Sequence, residues 1–544
     1  MGPIMRDRER DARERRADEA LREYEVSRRR VLEALGVSAG VTAISASGVG
    51  RALGAVASSA DAGSADIVLH SGTIWTGARG AASQAVAIKG PRIVAVGSNR
   101  EVLAWVGEST RSIDLRGAFV APGFRDQHAH ILRTLSTNPA TYQPRWTGHD
   151  EEAAFESRRR TGQGHVNTFN QGRSPSDGAA THGPVTELLR SQILTLQEEA
   201  AKLGISTIVD AGLTNLTVMD ALMQLHAEGR LKVRHLIRWQ VGAMEAAAQL
   251  GWTTGFGNDW VKVLGVKMYA DGWLGPRTCA LREPYADDPY EWGFPNGILF
   301  LAQDRANRDV ARAQELGYNI TAHAIGDRGV ETMLNAYDAA GVTQSDRWAL
   351  EHVQVAGDDL LDRMAAKGVV ASIQLSFPTS DHWFAFDALG EQRAKRESYR
   401  WHTMLRRGLR VAGGTDFSIE VLDPLWGIQR SVTRHEFDGS PTGGFLPEES
   451  VTVDDALSLI TSNDAYASFE EDDRGTIETG KYADLVVTRE NLQTIPRLAI
   501  ASATRLMTIT NGKVVSEGEV AYPPGDASMD IPGRPAQPEF ADLR

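Results

Sequence analysis

The sequence predicts an α/β protein whose body is a (β/α)8 TIM barrel, and three observations predict it. From residue 185 onward, short apolar strands alternate with stretches of helical apolar spacing, the pattern of a parallel sheet with helical crossovers. Residues able to carry chemistry fall at the carboxyl ends of those strands, the face on which such barrels hold their sites. Short β-branched strands separated by Gly and Pro flank the barrel region on both sides.

A chain of 544 residues, 42% hydrophobic and 24% charged, can bury one large core and a smaller one. A formal net charge of -13, with no Lys/Arg clusters in the body, argues against nucleic acid as a partner, because phosphate binding needs concentrated positive charge. The single cysteine, Cys279, excludes an internal disulfide framework and a cysteine-rich zinc site, and reads as a small buried apolar residue.

Residues 1–62 open with a stretch dense in Arg, Asp and Glu that cannot build a core. Arg28, Arg29 and Arg30 then precede a mildly apolar, Ala/Gly-rich run to Ala57, followed by small residues such as Ala60 and Ala62. That is the order of a twin-arginine export signal, with a periplasmic or extracellular destination. The alternative is a solvated charged helix followed by a linker. Arg51 and several Gly and Ser make the run too polar for a permanent membrane span.

Residues 63–121 hold short strands near 65–75, 85–97, 112–115 and 118–120, and the segment 473–520 has the same character around 475–487 and 506–515. The barrel is expected over 122–445. Its strands are the one carrying His128 and those at 205–210, 233–237, 260–269, 318–323, 348–352, 369–374 and 411–416, eight in all. Residues 131–185 show no clean period and read as an insertion or long loop, in which His149, His165 and His182 are taken as surface residues. Residues 446–472 form a helical connection, with 452–470 as an amphipathic helix, and 521–544 form a Pro- and Asp-rich tail.

His128 and His130 stand two apart on one strand, so they point the same way and supply half of a tetrahedral metal site. Pro122, Gly123, Phe124, Asp126, His128 and His130 match the Pro-Gly-Phe-x-Asp-x-His-x-His signature of the amidohydrolase superfamily, which the chain resembles. The resemblance implies that the N- and C-terminal strands meet as one β-sandwich, the Gly-x-Ile-x-x-Gly-Lys-x-Ala-Asp-Leu pattern of 475–485 being part of its second half. It further implies that His128, His130 and Asp416 hold one divalent metal ion, that His323 and His352 hold a second, and that Lys267, carboxylated by carbon dioxide, bridges them.

The strand-end positions of Lys267, His323, His352 and Asp416 agree with that set. An ammonium beside two cations would be repelled, whereas a carbamate carries negative charge; the alternative is Lys267 paired with Asp271 or Asp416 and a mononuclear site. Asp416 can take a proton from metal-activated water, whose hydroxide attacks a polarised carbon, and pass it to the leaving nitrogen; the alternative is a structural Asp in a Gly-Thr-Asp turn.

Residues 271–278 resemble the Asp-Gly-x-Leu-Gly-x-Arg-Thr segment of an amidohydrolase branch acting on N-substituted formamides, with Pro276 where Ser is commoner. Asp271 and Arg277 then orient substrate or form a loop salt bridge. Asp327 and Glu351 are candidates to fix His tautomers, and Gln374 and His382 candidates for substrate contact.

The expected protein is a metal-dependent amidohydrolase cleaving a non-peptide C–N bond, an amide or formamide, of a small-molecule substrate. One alternative is a deaminase or cyclic-amide hydrolase on the same metals, and another is a non-catalytic exported binding protein that keeps the barrel. One or two divalent ions are expected, zinc first, with iron, manganese or cobalt compatible with the donors. A homo-oligomer and passage through the twin-arginine export machinery complete the expectation.

Overall fold

A computed structural model of the chain describes residues 63–78, 83–132, 178–287, 293–417, 419–437 and 439–521. The export signal of 1–62, most of the insertion with His149 and His165, and the tail beyond 521 lie outside the described residues.

The first six strands are β1 (Ile67–His70), β2 (Thr73–Ile74), β3 (Ala85–Lys89), β4 (Arg92–Gly97), β5 (Arg111–Asp114) and β6 (Phe119–Pro122). The barrel strands follow: β7 (Phe124–Ala129), β8 (Ile205–Leu213), β9 (Arg234–Gln240), β10 (Val261–Tyr269), β11 (Ile320–Ala324), β12 (Ala349–His352), β13 (Val370–Gln374) and β14 (Val411–Gly414). β15 (Leu485–Thr488), β16 (Arg505–Thr510) and β17 (Lys513–Val520) end the described chain.

Strands β7 to β14 lie side by side in chain order, each parallel to the next. Helices return the chain between them, among them Glu187–Lys202, Thr217–Ala227, Gln303–Glu315, Asp327–Ala339 and Asp358–Lys367. Covered on both faces, strands β7, β8 and β9 are buried along their whole length, as parallel strands must be. The sheet closes where β14 meets β7: the Asp416 N–H donates to His128 O at 2.7 Å, and a parallel bridge joins Ala129 to Phe417. Gly414 permits this seam, because a Cβ there would stand 2.6 Å from the His128 nitrogen.

The flanking strands form two sheets, β4-β3-β1-β5 and β17-β16-β15-β6-β2. Antiparallel pairing of β15 with β6, Val487 opposite Val120, joins the two ends of the described chain. Alternation along these strands then assigns the faces. Val120, Leu485 and Val487 join Ile67, Leu69, Val86 and Ile88 in the sandwich core. Phe119, Ala121 and Val486 face the other way, into the barrel's own core. One pair of strands therefore welds the sandwich to the barrel.

Two elements depart from expectation. Only the end of 475–487 is strand, since Gly475 (φ 87) and Gly480 (φ 96) turn the chain before β15 begins. The amphipathic 452–470 stretch is two helices, Val453–Leu459 and Ser462–Ala467, broken at Thr461 (φ -137, ψ -91), whose hydroxyl donates back to Leu457 O at 2.7 Å. Among the described residues no helix is long and apolar enough to cross a membrane.

Candidate metal centre

His128 lies near the end of β7 and His130 just past it, and period-two geometry aims both at the barrel mouth. Their Nε2 atoms are 3.3 Å apart. Asp416 Oδ1 lies 3.2 Å from the first and 3.1 Å from the second. Donors held at roughly 2.0–2.1 Å by a tetrahedral ion stand about 3.3 Å from one another, so these three atoms have the spacing of ligands on one ion. His352 joins them: single donor atoms of His128, His352 and Asp416 all lie within 4.8 Å of one another. The His323 ring is 4.5 Å from that of His352, which is 5.0 Å from that of His128.

Lys267 Nζ lies 3.4 Å from His128 Nδ1 and 3.0 Å from Glu351 Oε2. The carboxylate set against it is thus that of Glu351, where the alternative reading expects Asp271 or Asp416. Glu351 also touches His128 Nδ1, and its Oε1 accepts the Thr321 hydroxyl at 2.9 Å.

Burial lowers His128 and His352 well below the usual imidazole range and His323 to about 3, with Lys267 lowering all three further and His323 adding to the effect at His352. These rings are therefore neutral near pH 7 and keep a lone pair for a metal. Burial opposes ionisation of Asp416, but His128 and His130 outweigh it and hold the carboxyl well below its usual range. The donors are two kinds that a divalent ion accepts, neutral imidazole nitrogen and carboxylate oxygen, so the residues present fit such an ion.

The backbone is unusual at the same places. Asp416 (φ 59), His352 (φ 75) and Val353 (φ 44) occupy the left-handed region that non-glycine residues rarely adopt. A clamp holds Asp416 there. Buried Asp126 accepts the Thr415 N–H at 3.0 Å, the Thr415 hydroxyl at 2.5 Å and the His128 N–H at 3.1 Å, while Thr415 Oγ1 accepts the Phe417 N–H at 3.0 Å. Both neighbours of Asp416 are tied down from the histidine strand. Burial raises Asp126 to about 7 despite these bonds.

The remaining expected residues divide. Gln374 is at the centre, with Oε1 2.6 Å from His352 Nδ1. Asp271 is not a free substrate contact. Its carboxylate accepts the backbone N–H groups of Ala280, Ile325 and Gly326 at 2.8–3.0 Å, and the His323 ring lies 3.5 Å away. Arg277 forms the loop salt bridge, two-pronged, to Asp287 at 2.6 and 2.7 Å. Asp327 accepts the N–H groups of Arg282 and Arg328, and no His bonds to it among the described residues. His382 bonds to Thr379 O at 2.6 Å and packs on Phe445. Cys279 is buried, and His182 is a half-exposed partner of Asp220.

Sequence reading misses the aromatic wall. Tyr269 and Trp273 lie 5.3 and 5.8 Å from the His323 ring, and Phe377 stacks parallel on His352 at 6.0 Å. Tyr269 carries a usable signal, standing two residues beyond Lys267 on one strand, but loop aromatics such as Trp273 carry none.

The amidohydrolase family matches residues 176–516. YtcJ of Bacillus subtilis (strain 168) is 33% identical over 261 residues, 47% of this chain and 48% of that protein, so the match spans about half of that relative. The N-substituted formamide deformylase of Arthrobacter pascens is 31% identical over 196 residues, 35% of each chain. An uncharacterized metal-dependent hydrolase from Pyrococcus furiosus shares the fold, with a TM-score of 0.63 at 24% identity over 79% of this chain and 100% of that one.

Proposed function

The chain belongs to the amidohydrolase family, and on that premise we propose that it is a metal-dependent hydrolase cleaving a non-peptide carbon–nitrogen bond, an amide or a formamide. The observation that carries this reading is the triangle of His128 Nε2, His130 Nε2 and Asp416 Oδ1, with edges of 3.1–3.3 Å at the carboxyl mouth of the barrel. The formamide class is supported by similarity to the Arthrobacter pascens deformylase.

With Lys267 carboxylated, His128, His130 and Asp416 would hold one divalent ion and His323 and His352 a second; with Lys267 kept as the ammonium that meets Glu351, the other residues would hold a single ion. Zinc suits nitrogen and oxygen donors, as do iron, manganese and cobalt. Such an ion, when bound, lowers the pKa of water toward about 7 and polarises a carbonyl. Asp416 accepts a proton from the attacking water at a carboxylate oxygen and hands it to the departing nitrogen. The Asp126–Thr415 clamp keeps that carboxylate in place, and Tyr269, Trp273 and Phe377 limit water around the imidazoles. Delivery outside the cytoplasm through Arg28 and Arg29 is part of the same proposal.

The test is reconstitution of the full chain with zinc or manganese, followed by a panel of N-substituted formamides, simple amides and aminated heterocycles. Release of carboxylate with amine supports the reading. Ammonia released from heterocycles alone would make the protein a deaminase, and bound metal without turnover on any member would favour a binding protein. An intact-mass gain of one carbon dioxide tests Lys267.

A further inference from the structure

Gln374 ends β13 and is fully buried beside the imidazole cluster. Its Oε1 meets His352 Nδ1 at 2.6 Å, while its Nε2, carrying two N–H bonds, has no partner among the described residues. Buried amide N–H groups are rarely left so.

The proton position on His352 follows from that contact. An amide oxygen can only accept, so Nδ1–H must donate to Gln374 Oε1, which leaves the ring's lone pair on Nε2. Phe377, stacked 6.0 Å away with planes 7° apart, supports the ring plane. With the oxygen committed, Nε2 is directed away from His352. Register places Gln374 opposite Gly414, two residues before Asp416, so the free amide stands beside the mouth where a reacting group must enter.

We propose that Gln374 has two working ends: Oε1 fixes the Nδ1–H tautomer of His352, and Nε2 donates a hydrogen bond to the carbonyl oxygen of the bound substrate. The second half rests on the hydrolase reading, since a carbonyl that gains negative charge during attack is the acceptor such a donor serves. The first half does not depend on it.

The test compares Gln374→Glu, which keeps an acceptor for His352 but has no amide donor, with Gln374→Met, which has neither. Zinc affinity should be undiminished in Gln374→Glu and fall about 10–100-fold in Gln374→Met, the usual consequence of losing a partner behind a ligand. The His352 Nδ1–H resonance of the zinc-loaded protein should persist in wild type and Gln374→Glu. Acetohydroxamate, a small carbonyl ligand, should bind the zinc-loaded protein at least tenfold more weakly in both variants. Unchanged zinc affinity in Gln374→Met overturns the tautomer role, and unchanged acetohydroxamate affinity in Gln374→Glu overturns the donor role. Should Gln374→Met not fold, absence of the wild-type Nδ1–H resonance overturns the tautomer role. Wild-type inactivity on formamides, with these binding results intact, would sink the hydrolase reading alone.

Discussion

Asp416 owes its place to its neighbours more than to itself. Its φ of 59 is a conformation that Asp adopts at some cost, and the bonds from Thr415 and Phe417 to the histidine strand maintain it. Asp416→Asn preserves the shape and one ligand oxygen but cannot carry the proton. Turnover should fall about 10²–10⁴-fold with metal stoichiometry retained, measured by kcat and elemental analysis; unchanged kcat would remove Asp416 from proton transfer. Thr415→Val breaks the hydroxyl link in both directions and leaves a buried Asp126 oxygen unpaired. It should cost about 1–3 kcal/mol in thermal or chemical unfolding and lower kcat at least tenfold, while Thr415→Ser restores both. A Val variant as active as Ser would mean that the clamp does not set the carboxylate.

At the scale of elements, an ionic plug ties the Ser462–Ala467 helix and the residues after it to the foot of the barrel. Arg125 at the start of β7 meets Asp464 at 2.6 Å and Glu470 at 2.9 Å, while Lys262 and Arg474 meet Glu470 at 2.9 and 3.0 Å, all but Lys262 being buried. Burial alone would raise Glu470, but Arg125, Arg474 and Lys262 override it and bring its pKa down to about 2. An ordinary Glu titrates near ~4.3, so the unfolded chain takes up this proton first as the pH falls. The contribution, roughly 3 kcal/mol, is therefore complete above pH ~4.3 and is lost as the pH drops through 2. Glu470→Gln should be less stable than wild type by about 3–5 kcal/mol at pH 7, because three cations lose their shared partner, and the gap should close in acid. Denaturant unfolding from pH 7 down to the acid limit measures this, and a gap constant with pH would refute the ion-pair account.

For the molecule as a whole, the β15–β6 pairing makes barrel and sandwich share two strands, and the closure of β14 on β7 makes the metal centre a property of the complete barrel. An ion bound to the folded chain alone adds about 4 kcal/mol when present at a thousandfold excess over its Kd. Chelation should therefore lower Tm by several degrees and abolish turnover, with zinc restoring both; an unchanged Tm would speak against an ion in the folded protein. Delivery is tested at the same scale. Changing Arg28 and Arg29 to Lys should block export as seen by fractionation, and unaltered extracytoplasmic protein would favour the charged-helix reading of 1–62.

The sequence by itself determined the strands of the barrel, their order, and the strand ends at which His128, His130, Lys267, His323, His352 and Asp416 stand, because the short apolar runs of buried parallel strands and their boundaries are local properties. Tertiary structure alone decided who meets whom. It set Glu351 rather than Asp271 or Asp416 against Lys267, turned Arg277 to Asp287, spent Asp271 on three backbone N–H groups, and broke the helix at Thr461. The reason is physical: periodicity tells which face a side chain takes, whereas its partner depends on the register between strands and on where the sheet closes. In this chain the closing seam brings His128 to Asp416 across nearly the whole barrel sequence, and no local pattern records that distance.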